Sequence, residues 1–226
     1  MPPLAGSFEK ITLSDDTNAP MEIDVAEDGR AFFIEIDGRL QMWSPETRTV
    51  KTLIHIPVTT VHENGLLGIQ LSPDFETTGH IYVAYSALPD SSGINRVSRF
   101  TLGPNDTIDP ASEQIIYTWR HQRQECCHTG GSLDFGPDGN LYISTGDNTN
   151  PFAHGFNPTD ERPGREYWDA QRTSANTNDP NGKILRIRPI PGVTGVEPGI
   201  GRTYTIPAGN MFDESEDTED KTLPEI

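Results

Sequence analysis

The chain has 226 residues, 33% of them hydrophobic, with 21 glycines, 19 prolines and a formal net charge of −17. Such a surface repels a phosphate backbone or an anionic lipid face, which argues against nucleic acid and membrane surfaces as partners. No run of 18 apolar residues exists to span a bilayer, and two cysteines do not make a disulfide framework.

The start, Met1-Pro2-Pro3-Leu4, has no basic or apolar leader and reads as a chain without its own export signal. Ile23 to Val25 then alternate, Asp28-Gly29 turns the chain, and Ala31 to Ile34 form an apolar strand. Asp-Gly favours a hairpin because both turn positions tolerate positive φ. Segments 38–43 and 49–54 complete a first four-stranded unit. The same pattern returns at Ile69, with a strand resuming at His80, and segments 96–102 and 114–119 complete a second unit. It returns a third time at Leu133-Asp134-Phe135-Gly136-Pro137-Asp138-Gly139-Asn140-Leu141-Tyr142 and resumes late, at 182–188. The polar stretch 148–181 between reads as an ordered loop with one short helix, because loops of that length are commonly functional. The repeats start 46 and 64 residues apart, near the ~40–50 of a propeller blade. Residues 213–220 hold six acids, a solvated loop, and Leu223 to Ile226 read as the start of a new strand. The chain therefore reads as a single partial domain over 1–226, about half of a larger β-propeller, since three blades do not close a ring. Apolar faces left open at the missing blades predict aggregation of this piece on its own.

The segment Cys126-Cys127-His128-Thr129-Gly130-Gly131 carries the sharpest chemical signal. A histidine just before a rigid hairpin can be held as a base without a mobile loop, and its pKa lies near working pH. The bland reading, a structural histidine capping a turn, stands beside it. Histidines 55, 62, 80, 121 and 154 show no metal-ligand spacing, although His62 and His121 lie close to the motifs.

Three ordered motifs carry a family resemblance: Glu63-Asn64-Gly65-Leu66-Leu67-Gly68 with Ser72-Pro73-Asp74-Phe75; His128-Thr129-Gly130-Gly131-Ser132-Leu133 with Gly146-Asp147; and Gly182-Lys183-Ile184-Leu185-Arg186-Ile187. Over residues 8–226 the sequence resembles the soluble glucose/sorbosone dehydrogenases, six-bladed all-β propellers of four-stranded antiparallel blades that use pyrroloquinoline quinone (PQQ). The string around Cys126-Cys127, with residues 147–152 and 160–165, is similar to sugar-dehydrogenase-like domains of large exported bacterial proteins.

The resemblance implies PQQ-dependent oxidation of an aldose at its C1 hydroxyl. His128 is implied as the catalytic base, and Glu63, Cys126, Cys127, Asn148 and Asn150 as cofactor-binding. Asp147 and Asp160 are further candidates for the rim. Glu63 stands where the glucose enzymes have glutamine; it would accept a sugar hydroxyl or pair with His128. Cys127 stands where they have aspartate, and a vicinal Cys126–Cys127 disulfide would form a platform against the quinone. Arg162, Arg165 and Arg172 would pair with PQQ carboxylates or with Asp160, Glu161 and Asp169. No metal ligand is assigned within the chain; calcium ligands are expected beyond residue 226. The implied partners are a sugar and an external electron acceptor or fused cytochrome-type module, in the periplasm or outside the cell. The alternatives are a non-catalytic propeller module binding carbohydrate or protein, and a calcium-dependent lactonase, whose carboxylate and amide cage has no match here.

Overall fold

Three antiparallel sheets follow one another along the chain. The computed structural model describes Gly6 and residues 9–152, 155–191, 203–212 and 222–226; the acidic stretch 213–220, His154 and the first four residues lie outside the described residues. The first sheet has strands β1 (Pro20–Val25), β2 (Ala31–Glu35), β3 (Arg39–Trp43) and β4 (Val50–His55) in sequential order. The Asp28-Gly29 turn forms as the sequence predicts: Gly29 takes φ 86°, and Ala26 N–H donates to Arg30 O at 2.9 Å.

The second sheet has β5 (Leu66–Leu71), β6 (His80–Ser86), β7 (Ile94–Gly103), β8 (Thr107–Ile108) and β9 (Gln114–Arg120). It carries five strands rather than the expected four. The ten-residue β7 pairs β9 along its first half, and its end, Leu102 and Gly103, pairs the short β8. Between β5 and β6 the chain makes one helical turn, α1 (Phe75–Thr78), closed by Gly79 in the left-handed conformation. The third sheet has β10 (Gly130–Phe135), β11 (Leu141–Thr145), β12 (Ile184–Pro189) and β13 (Tyr204–Thr205). Strand β13 has no counterpart among the sequence expectations, although Thr203 to Ile206 is rich in β-formers. Leu223 to Ile226 is not the start of a strand: it turns back along β12, where Arg186 N–H donates to Glu225 O at 2.6 Å.

Alternation along β6 explains the stacking. Ile81, Val83 and Tyr85 face one core, with Phe32, Ile34, Leu40 and Leu66. Tyr82 and Ala84 face a second, with Val97, Leu133, Ile143 and Leu185. The middle sheet is thus covered on both faces, each fully buried large side chain contributing about 1.5–3 kcal/mol. On the outer sheets Met21, Ile23 and Val25 on β1 and Ile184 on β12 are exposed, whereas Ala31 and Phe33, on the same face as Ile23, are buried.

The first strands of the sheets lie side by side. Glu22 and Asp24 on β1 accept the backbone N–H groups of Ile69 and Leu71 on β5, at 3.2 and 2.8 Å. Next, β5 meets β10 backbone to backbone: a Cβ on Gly68 would stand 2.0 Å from Gly131 O. That glycine contact brings the chain before β5 and the chain before β10 to one end of the stack.

Candidate functional site

Glu63 stands three residues before β5 and His128 two before β10, so the close approach of the two strands puts them in contact. Glu63 Oε2 accepts the backbone N–H of His128 at 2.7 Å. The carboxylate therefore holds the main chain of the histidine, not its ring. His128 sits in the left-handed region at φ 58°, as do His62 and Asn148 in the adjoining loops. Each such non-glycine residue costs on the order of 1–3 kcal/mol, and such residues gather where function demands a fixed geometry.

The ring is oriented by Asp147, just past the end of β11. His128 Nδ1 lies 2.8 Å from Asp147 Oδ1, which also accepts the N–H of Thr149 at 3.0 Å. A carboxylate accepts only, so Nδ1 is the donor in this contact, and in the neutral imidazole the lone pair lies on Nε2. Nε2 has no partner among the described residues, and the side chain is 45% exposed. Asp147 is itself pinned: Thr173 Oγ1 donates to its carbonyl at 2.6 Å. Gly146 packs under His128 so tightly that a Cβ there would stand 1.5 Å from His128 O.

Cys126 and Cys127 form a vicinal disulfide. Their Sγ atoms and the Glu63 carboxylate lie within 4.8 Å of one another. The thiolate is the metal-binding form of cysteine, so sulfurs joined to each other leave no metal site in this trio.

The structure brings Glu63, Cys126, Cys127 and His128 together with the rim candidate Asp147, and it is Asp147 that meets the ring, a partnership the sequence offered as one of two uses of Glu63. Asn148 and Asn150 lie on the next stretch of loop with their amides engaged: Asn148 Oδ1 accepts Gln122 N–H at 3.0 Å, and Asn150 Nδ2 donates to Glu125 Oε2 at 2.7 Å. Asp160 is buried and committed to arginines. It is 1% exposed and bound by Arg162 Nη2 at 2.6 Å and Arg165 Nε at 3.2 Å. These guanidinium groups hold its carboxyl well below the usual carboxylate range. The ion pairs pin the long loop, which has two 3-10 turns, Glu166–Trp168 and Ala170–Arg172, instead of one short helix. His121 lies buried behind the site, its Nε2 3.4 Å from Thr129 Oγ1. Burial, and then Arg123, push its pKa down to about 4, so it is neutral.

The family model for glucose/sorbosone dehydrogenase matches residues 17–207. The chain belongs to the glucose/sorbosone dehydrogenase family. Quinoprotein glucose dehydrogenase B of Acinetobacter calcoaceticus is 24% identical over 189 residues, 80% of this chain and 39% of that protein. Hedgehog-interacting protein of Mus musculus is 28% identical over 133 residues, 52% of this chain and 19% of that protein. The PQQ-bound aldose sugar dehydrogenase from Streptomyces coelicolor superposes with a TM-score of 0.60 at 23% identity, covering 80% of this chain and 49% of that one. At that identity the likeness concerns the fold: an all-β, propeller-like stack of antiparallel sheets. The chain spans about half the length of this solved structure and less of the two relatives.

Proposed function

We propose that this chain is the part of a PQQ-dependent sugar dehydrogenase that carries the general base, His128. One observation carries the reading: the imidazole is fixed by Asp147 at Nδ1 and by Glu63 through its own backbone N–H, with Nε2 unpartnered among the described residues and the side chain 45% exposed. In this reading Nε2 takes the proton from the aldose C1 hydroxyl. Asp147 then faces the imidazolium that forms and stabilises it, and Glu63 keeps the backbone from swinging. PQQ, when bound, supplies the acceptor for the hydride that leaves C1.

The residues present suit the reacting side of that cofactor. The disulfide of Cys126 and Cys127 offers a sulfur surface beside the base, against which a flat ring can lie. Among the described residues no arginine or lysine bonds to Glu63, His128 or Asp147. Cationic partners for the cofactor's carboxylates, and the calcium ligands, belong in this reading to the remaining blades of a six-bladed ring. Asn148 and Asn150 act by shaping the loop that carries Asp147. A disulfide suits the periplasm or the extracellular space, where an external acceptor or fused cytochrome-type module would take the electrons.

The test uses the native full-length protein with PQQ and calcium, reading dye reduction over a panel of aldoses. His128→Ala should abolish turnover while PQQ absorbance is retained. Turnover surviving in that variant ends the proposal. The match to Hedgehog-interacting protein favours a second reading, a propeller that binds without catalysis. Absence of both dye reduction and bound PQQ in the native protein would establish it over the first.

A further inference from the structure

Beside the histidine site, on the same end of the sheets, a cleft of about 470 Å³ opens between the turn at 90–93, the segment following β9 and the long loop. That volume suits a small-molecule unit. Three arginines line it, Arg120, Arg123 and Arg172, against one carboxylate, Asp90. In a chain of net charge −17 this reverses the local sign.

The three cations are differently committed. Arg123 is buried and locked in place: Nη1 donates to Asn64 Oδ1 at 2.8 Å and Nη2 to Asn95 Oδ1 at 2.7 Å. Its Nε lies 3.5 Å from Asp90 Oδ1, beyond good hydrogen-bond length. Arg172 is exposed and among the described residues spends only Nε, on Glu166 O at 3.2 Å. Arg120 is exposed, and its side chain has no hydrogen bond or ion pair among the described residues. Guanidinium forks match carboxylates in a way that a point charge does not. The other groups on the walls suit a sugar. Ser92 Oγ has no partner among the described residues, and Tyr167 adds a half-buried ring.

The cleft reaches the base through two short links. Asn148 lines it and is the residue after Asp147, ~3.8 Å along the backbone. His121 also lines it and touches Thr129, the residue after His128. We propose that this cleft is a subsite for a uronic acid unit, so that the substrate is an acidic oligosaccharide whose oxidised unit lies at His128. This rests on the dehydrogenase reading above for the second unit, while the binding of the acidic unit is measured independently of turnover.

Calorimetry on the native protein, with a glucuronate-terminated disaccharide and its neutral isostere as probes, tests it. The acidic probe should bind at least about tenfold more tightly, with the preference shrinking near ~1 M salt. R120Q/R172Q, two exposed positions, should melt like the native protein and bind both probes equally. R120K/R172K should recover part of the preference. His128→Ala should lose turnover yet keep the preference. Equal affinities in the native protein, or a preference untouched in R120Q/R172Q, overturns the subsite. A preference intact in a protein that oxidises no sugar sustains the acid-binding cleft and refutes the dehydrogenase reading instead.

Discussion

Replacing Gly146 by alanine should displace His128 without touching its side chain. An added Cβ would sit 1.5 Å from His128 O and 2.2 Å from His128 C, both backbone atoms. To reach even 3.0 Å, one of the two chains must retreat by at least 1.5 Å. The His128 loop cannot yield that much and keep both the 2.7 Å bond to Glu63 and the 2.8 Å bond to Asp147. Overpacking of this kind costs about 1–3 kcal/mol of stability, and a ~1 Å misplacement of a reacting group can cost about 100-fold in rate. Gly139 supplies the control. It lies at the other end of the same hairpin, at φ 73°, and a Cβ there would meet nothing within 4 Å, so alanine costs only the left-handed backbone penalty of roughly 1–2 kcal/mol. Dye-reduction kinetics and urea midpoints on the native protein and both variants decide the matter. G146A should lose about two orders of magnitude in kcat, and G139A should turn over normally. Native turnover in G146A would refute the claim that this contact holds the base.

Other outcomes follow from the same geometry. Glu63→Ala removes the acceptor of the His128 N–H and should lower turnover by about 10- to 100-fold, matching a charge-assisted hydrogen bond of roughly 1.5–3 kcal/mol; Glu63→Gln keeps an acceptor and should lose less, and equal losses in the two variants would count against the backbone-holding role. His121 titrates near 4 when folded and near 6.5 when unfolded. The unfolded chain therefore takes the proton first as pH falls, so this group's contribution is complete above about pH 6.5 and is lost towards pH 4, by up to about 3 kcal/mol. Urea midpoints at pH 7 and pH 4.5 should show His121→Gln losing less on acidification than the native protein; identical losses would mean the buried imidazole is not the sensor. Non-reducing peptide mapping of the native protein by mass spectrometry should find the peptide holding Cys126 and Cys127 with no free thiol before reduction and two after it, since the two are paired. Two thiols without reductant would remove the sulfur platform.

Strand periodicity and turn chemistry are local, and they are legible in the chain. The alternation at 23–25, 69–71 and 133–135, with acidic turns between, places the first two strands of every sheet. The short strands β8 and β13, two residues each, carry too little pattern to be read, because their pairing depends on neighbours supplied by the fold. His128 is legible as a candidate base from its place before Gly130-Gly131.

Its partner is not, and the reason is a register shift. Near the turn, Phe135 pairs Leu141, Asp134 pairs Tyr142 and Leu133 pairs Ile143. Carried straight to the site, that register sets His128 opposite Asn148. A bulge between Gly130 and Leu133 moves the pairing by one, to Gly130 with Thr145, and so brings Asp147 to the ring. The bulge lies where Gly131 O meets Gly68 of the neighbouring sheet, a contact between residues 63 positions apart in the chain. The residue types thus determined that a histidine, a disulfide-forming pair and nearby acids were available. Packing of one sheet against the next decided which acid orients the histidine, because a one-residue slip exchanges an aspartate for an asparagine.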